Sequence, residues 1–230
     1  ANKIEKFLIE SNKKTIGNNL NESILDDTYS VFVERYDNEN GGFGTQPKFP
    51  SPQNIIFLLR YHKMTGNKTA LEMAEKTLIN MRMGGIYDQL GFGFHRYSTD
   101  KEWLVPHFEK MLYDQAMLSI AYTEAYHLTK KDVYKKIAIE ILTYIKRDLT
   151  DSKGGFYSEE DADSEGEEGT FYIWSLKELN MLGKSEKDLS IEYFNLEDEG
   201  NYLDESTRKK NGKNIFHIKN LNNISDNRYE

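Results

Sequence analysis

Cysteine is absent from this 230-residue chain, which removes disulfides, thiolate nucleophiles and cysteine-ligated metals from consideration. Long apolar runs are missing as well. The longest, Ile55 to Leu59, falls far short of a membrane span, and Ala1 to Lys14 has no signal-peptide pattern. A soluble protein with the cytoplasm as its default setting is expected. No glycine-rich phosphate loop, His-Glu-x-x-His pair or Gly-x-Ser-x-Gly elbow occurs, which argues against nucleotide hydrolysis and serine esterase chemistry. Positive charge is in deficit: 30 Lys and Arg against 38 Asp and Glu give a net charge of -8. Such a surface repels phosphate backbones and anionic lipid, so nucleic acid and membranes are not expected as partners, and neutral or cationic ligands are favoured.

What is present is enough to fold. Hydrophobic residues make up 38% and aromatic residues 13%, too many for a disordered chain. The length suits one large domain or two small ones.

The pattern along the chain is helical. Residues 1–20 are polar and without period, and read as a lead-in arm. From Asn21 a helix is expected with Ile24, Thr28, Val31, Phe32 and Arg35 on one face. Ser51-Pro52 reads as an N-cap followed by a first-turn proline, opening a helix to about Thr65. Gly66-Asn67 breaks it, and Lys68 to about Met83 completes an antiparallel hairpin with Leu71, Ala74, Leu78 and Met81 inward.

Gly84 to Pro106 is a long loop without period, of the kind that is usually functional in compact domains. A nearly all-apolar helix is expected from Pro106 to about Leu128, then an amphipathic one from Asp132 to Leu149. That helix sets Val133, Ile137, Ile141 and Ile145 opposite Lys135, Lys136, Glu140, Lys146 and Arg147. Phe171 to Trp174 reads as a short strand, Ser175 with Glu178 as a capping box, and Ser185 with Asp188 as a further helix start. Residues 196–230 are expected to form an extended or mobile tail. Buried helices alternating with half-buried ones imply two concentric layers. The Gly-Gly turns at Gly41, Gly84 and Gly154 would gather at one end of a ring. The expected class is all-α, a partial (α/α) toroid over residues 21–195.

Candidate chemistry concentrates between Gly84 and Gln115. On a helix starting at Pro106, His107 and Asp114 would share a face about 10 Å apart along the axis. The helix dipole there would favour a neutral imidazole able to act as a base, although a simple bond to a loop carbonyl explains His107 equally. Tyr87, Tyr97 and Trp103 fit either a stacking wall for sugar faces or anchors for the loop.

Glu159, Glu160, Asp161, Asp163, Glu165, Glu167 and Glu168 crowd one short loop. A calcium loop fits Asp161, Asp163, Glu165 and Gly166 loosely but fails at Tyr172, where the terminal glutamate should stand. A catalytic carboxylate pair and a solvated acidic loop both remain open. No cofactor or metal is expected.

Five blocks carry a family resemblance. They are Gly41 to Pro50 (GGFGTQPKFP), Gly84 to Gly91 (GGIYDQLG) with Phe94 to Tyr97 (FHRY), Trp103 to Gln115 (WLVPHFEKMLYDQ), Gly154 to Gly169 (GGFYSEEDADSEGEEG) and Gly212 to Ile215 (GKNI). The chain resembles the spermatogenesis-associated, thioredoxin-domain-containing family over roughly Asn21 to His217. The resemblance implies a helical toroid similar to N-acylglucosamine 2-epimerases and six-hairpin glycosidases, with a pocket where the Gly-Gly loops meet. Members of that family also carry a thioredoxin-like domain and six hairpins. This chain lacks the former and has about three of the latter, so it reads as an excised piece whose open edge favours self-association.

Two functions follow as expectations. In the first, a carbohydrate pocket for epimerisation or glycoside hydrolysis uses His107 as base and Asp88, Asp161 and Asp163 as acids. Tyr87, His95, Tyr97, Trp103 and Asp114 then bind a small sugar. In the second, the chain is a non-catalytic helical scaffold whose acidic loop meets a basic partner.

Overall fold

Pro52 lacks an N–H and is pre-set for a first helical turn, and α3 (Pro52–Thr65) begins on it. The computed structural model describes residues 2–11, 21–203 and 209–220. Gly66, in the left-handed conformation at φ 75°, stops α3. Asn67 then caps α4 (Lys68–Met83) by accepting from the Ala70 N–H at 3.0 Å. Ser51, expected as the N-cap, instead sits at φ 45° and makes no capping bond.

Helix α3 packs against α4 and against α5 (Leu112–Thr129), which in turn packs on α6 (Asp132–Asp148). Helix α2 (Ser23–Arg35) lies on α3. Its inward side is Leu25, Tyr29 and Phe32, with Tyr36 just beyond, whereas Ile24 and Val31 of the expected face are exposed. The core lies between these helices: Ile55, Leu58, Leu59, Ala74, Leu78, Leu118, Tyr122, Ile137 and Ile141 are closed off from solvent. Burying an aliphatic side chain of this size contributes about 1.5–3 kcal/mol.

Helix α5 does not begin at Pro106. Residues Pro106–His107 form β2, paired antiparallel with β1 (Tyr97–Ser98), and Lys110–Met111 form β3, paired with β4 (Glu159–Glu160). A proline suits an edge strand as well as a first helical turn, and one local ladder together with one long-range ladder decides between them. The second ladder also brings the acidic loop onto the start of α5.

The lead-in arm contains α1 (Asn2–Ser11), and the rest of that arm lies outside the described residues. Strands β5 (Asp163–Ser164) and β6 (Glu167–Glu168) form a hairpin, and β7 (Ile173–Ser175) follows it. Ser175 and Glu178 cap each other as expected, ahead of a short 3-10 turn. Helix α7 (Lys184–Tyr193) starts one cap earlier than Ser185, with the Glu186 carboxylate accepting from the Gly183 N–H at 2.9 Å.

The described part of the expected tail is packed. Strand β8 (Lys213–Ile215) pairs with β7, the Ile218 N–H donates to the Met83 carbonyl at 2.8 Å, and Leu196, Tyr202, Ile215, Phe216 and Ile218 are buried. Two satellite cores result, one around Phe108, Ala162, Tyr202 and Ile215 and the other around Leu179, Leu196 and Phe216. Apolar residues spaced too irregularly for a helix face escape a periodicity reading.

Among the described residues no helix is long and apolar enough to cross a membrane. Two of the three Gly-Gly turns converge on Trp103. A Cβ on Gly42 would lie 2.5 Å from its ring, and one on Gly84 would collide with its carbonyl oxygen. Gly154 and Gly155 stand in open space.

Candidate functional site

Ladder β1–β2 places Tyr97 directly opposite His107, and their rings stack at 5.0 Å between centroids. The Phe49 ring also packs on Tyr97, at 4.9 Å between centroids, and is about half exposed. The three rings form a wall. His107 is held from the far side by the acidic hairpin: its Nδ1 lies 2.6 Å from Glu168 Oε1, which also accepts from the Phe108 N–H at 3.2 Å. His107 is thus on a strand, and the expected helix-dipole effect on it has no basis.

Below the wall, Glu109 Oε2 sits 2.6 Å from Arg96 Nη1 and 3.8 Å from His107 Nε2. Asp114 opens the first turn of α5 nearby, 7% exposed and without a hydrogen-bond partner among the described residues. Burial pushes its carboxyl up to about 7, with Arg96 opposing and Glu109 reinforcing the rise. A carboxyl that titrates near neutrality beside a fixed cation and a fixed anion can either give or take a proton at physiological pH. The sequence singles out His107, Tyr97 and Asp114, shows Arg96, Glu109 and Glu168 only as members of polar clusters without a role of their own, and does not point to Phe49. The alternation in His107-Phe108-Glu109-Lys110 is the available signal, whereas Phe94 to Tyr97 does not follow it, since Phe94 and His95 are both buried and Arg96 and Tyr97 both lie on the side of His107. Odd-numbered and even-numbered residues point to opposite faces of an extended chain.

That alternation produces a second, buried constellation. Lys110 is 2% exposed, donates to Asp88 Oδ2 at 2.8 Å and to the Phe92 carbonyl at 3.1 Å, and lies over the rings of Tyr144 and Tyr172. Burial pushes the Asp88 carboxyl up, but Lys110 and the Gly91 N–H outweigh it and hold the group below its ordinary value. Glu160 accepts from the Tyr144 and Tyr172 hydroxyls at 2.6 and 2.5 Å. His95 is buried, with Nδ1 donating to the Phe108 carbonyl at 2.9 Å. Burial, helped by Lys110, lowers its pKa to about 3, so the ring stays neutral.

The remaining expected site residues lie elsewhere. Tyr87 and Trp103 are closed to solvent, the first donating to Glu140 and the second to the Asn40 carbonyl, and both act as loop anchors. Glu140, expected on the solvated side of α6, is buried instead, with Arg82 Nε 3.4 Å away. Asp88 is committed to Lys110. Asp161 and Asp163 are exposed, and the Asp161 carboxylate accepts from the Asp163 N–H. Of the acidic run, Glu168 is the member that reaches His107. Among the described residues no group of three or more His, Asp or Glu side chains is placed to hold a metal ion.

No protein-family model matches the chain. Among curated proteins it is 50% identical to human spermatogenesis-associated protein 20 over 159 residues, and 44% identical to the mouse protein over 200 residues. The chain belongs to the spermatogenesis-associated protein 20 family. The matches cover 65% and 78% of this chain but 20% and 25% of those relatives, so it spans about a quarter of their length. Among solved structures it is similar to cellobiose 2-epimerase from Bacillus thermoamylovorans. The TM-score is 0.53 at 14% identity, covering 61% of this chain and 42% of that one. A family 76 glycoside hydrolase from a bovine Bacteroides thetaiotaomicron strain also has a TM-score of 0.53, at 16% identity, covering 63% and 32%. The fold is a partial (α/α) toroid of the sugar epimerase and six-hairpin glycosidase type.

Proposed function

We propose that the face bounded by Asp114, Arg96, Glu109 and His107, with Phe49 and Tyr97 as its wall, binds a sugar and moves a proton on it. One observation carries this reading: a nearly buried carboxyl, Asp114, that has no hydrogen-bond partner among the described residues and titrates at about 7 between Arg96 and Glu109. The half-exposed Phe49 ring and the Tyr97 ring offer flat apolar surface to the C–H face of a pyranose. Arg96 supplies donors for hydroxyl or carbonyl oxygens. In epimerisation, Asp114 would take or return the proton beside a carbonyl, and His107, held by Glu168, would serve the opposite face. In glycoside cleavage, Asp114 would protonate the leaving oxygen.

The likeness of fold to a cellobiose 2-epimerase supports the first chemistry and the likeness to a family 76 hydrolase the second. The scaffold reading rests on a different observation, the exposed carboxylates of Asp161, Asp163, Glu165 and Glu167, which suit a basic partner. A cytoplasmic setting and self-association through the exposed flank of α5, where Tyr113 and Ile120 stand, belong to the same proposal.

The test is proton exchange. Glucose, mannose and cellobiose are each incubated with the chain in heavy water, and deuterium at C2 is followed by NMR. Exchange is expected, falling about 100-fold or more in Asp114→Asn. Absence of exchange, together with absence of saturation transfer from Phe49 and Tyr97 to any of the three sugars, overturns the reading.

A further inference from the structure

A separate cavity of about 260 Å³ lies behind the Lys110 constellation, walled by Tyr87, Phe108, Phe171, Tyr172, Trp174 and Phe216. Asp88, Gln89, His95 and Arg147 also line it. Most of this polar chemistry is already engaged. Asp88 Oδ1 accepts from the Leu90 and Gly91 N–H groups while Oδ2 takes Lys110. Gln89 accepts from Arg82 and donates to the Arg82 and Gly84 carbonyls. Arg147 is bound to Asp148 and to the Gly91 carbonyl, and the Tyr87 and Tyr172 hydroxyls are given to Glu140 and Glu160.

Among the described residues His95 is the unengaged acceptor, with the Trp174 indole N–H as an unengaged donor on the same wall. Its Nδ1 is fixed on the Phe108 carbonyl, which leaves Nε2 as a lone-pair acceptor with no hydrogen-bond partner among the described residues, on a side chain 1% exposed. About 150 Å³ of dry, apolar cavity suffices for benzene in an engineered protein, so this volume accommodates a fused bicyclic ring.

We infer that this cavity is a binding site for a small planar aromatic molecule that presents one N–H or O–H donor to His95 Nε2, a ligand of the indole or phenol class. The neutral state that burial imposes on His95 keeps that lone pair available across the physiological range. The donor fixes orientation, and the rings of Tyr172, Trp174 and Phe216 supply contact area. The site is independent of the Asp114 face.

Indole and 1-methylindole share one body and differ in the donor, so the pair reads the contact directly on the unaltered chain. Titration followed by NMR is expected to give saturable shifts at Phe171, Trp174 and Phe216 with indole and about tenfold weaker binding with 1-methylindole. The variant His95→Asn can keep a donor for the Phe108 carbonyl while its shorter side chain leaves no acceptor at the Nε2 position, and it is expected to bring the two ligands to equal affinity. Equal affinity in the unaltered chain, non-saturable shifts, or shifts confined to Tyr97 and His107 would overturn the assignment, whether or not the variant folds.

Discussion

Glu168 reaches across sixty-one residues of chain to set its Oε1 2.6 Å from His107 Nδ1. The contact fastens the β5–β6 hairpin to the aromatic wall, because the same oxygen takes the Phe108 N–H. Both side chains are partly exposed, so the pair itself is worth little. Its value is positional. Glu168→Ala is expected to cost about 1 kcal/mol or less in global stability. It should also speed amide exchange at Phe108 and along 163–168 well beyond the rest of the molecule. Hydrogen exchange read by mass spectrometry checks this, and uniform protection across that segment would show that the hairpin stands without His107.

Asp114 ties stability to pH in a defined direction. Its folded value of about 7 lies above that of an unfolded aspartate, so the folded chain holds the extra proton between about pH 4 and pH 7. Stability contributed by this group therefore falls as pH rises through that window. The groups facing it are Arg96 and Glu109. Asp114→Asn is expected to leave stability nearly unchanged at pH 4 and to raise it at pH 8. A tenfold difference in proton affinity between the folded and unfolded chain corresponds to about 1.4 kcal/mol, so even a third of the separation gives roughly 1 kcal/mol or more. Urea melts at the two pH values decide it. A gain of equal size at both would assign the effect to packing instead.

Lys110 makes the opposite case. Lys110→Met leaves Asp88 buried without its cation, and such a break typically costs about 3–5 kcal/mol. The loss is expected to be larger at pH 7 than at pH 4, since burial then raises the Asp88 carboxyl and acid neutralises it. Adding Asp88→Asn should restore much of the stability. Thermal melts of the single and double variants measure the coupling, and strict additivity would mean that the pair does not act as one unit.

Helix positions are legible in the sequence because each rests on a local signal: Pro52 at a first turn, Gly66 at a stop, and Asn67 as a cap. The stripe on α6 is equally local, apart from Glu140, which polarity places outside and which Arg82 and Tyr87 draw inside. The family blocks locate the site region as a whole. The face each residue presents is not legible, because between Gly84 and Met111 it depends on pairings with residues far away in the chain. Reading Pro106 to Met111 as helix groups His107 with Asp114 on one stripe. As strand, His107 and Glu109 take one side and Phe108 and Lys110 the other, and the chemistry divides into two sites. Asp161 and Asp163 stand out by density of charge, yet local density does not reveal which carboxylate a hairpin turns inward.

The Ile218-to-Met83 hydrogen bond and the β7–β8 ladder have a consequence for biosynthesis. Helices α2 to α6 can find one another as they leave the ribosome, since each packs on a near neighbour. The aromatic chamber beside His95 takes Phe216 as one of its walls, so it stays roofless until translation has passed that residue. During that interval Phe108 and Trp174 have no partner in Ile215 and Phe216, and a nascent chain stalled before residue 213 would present those rings to chaperones.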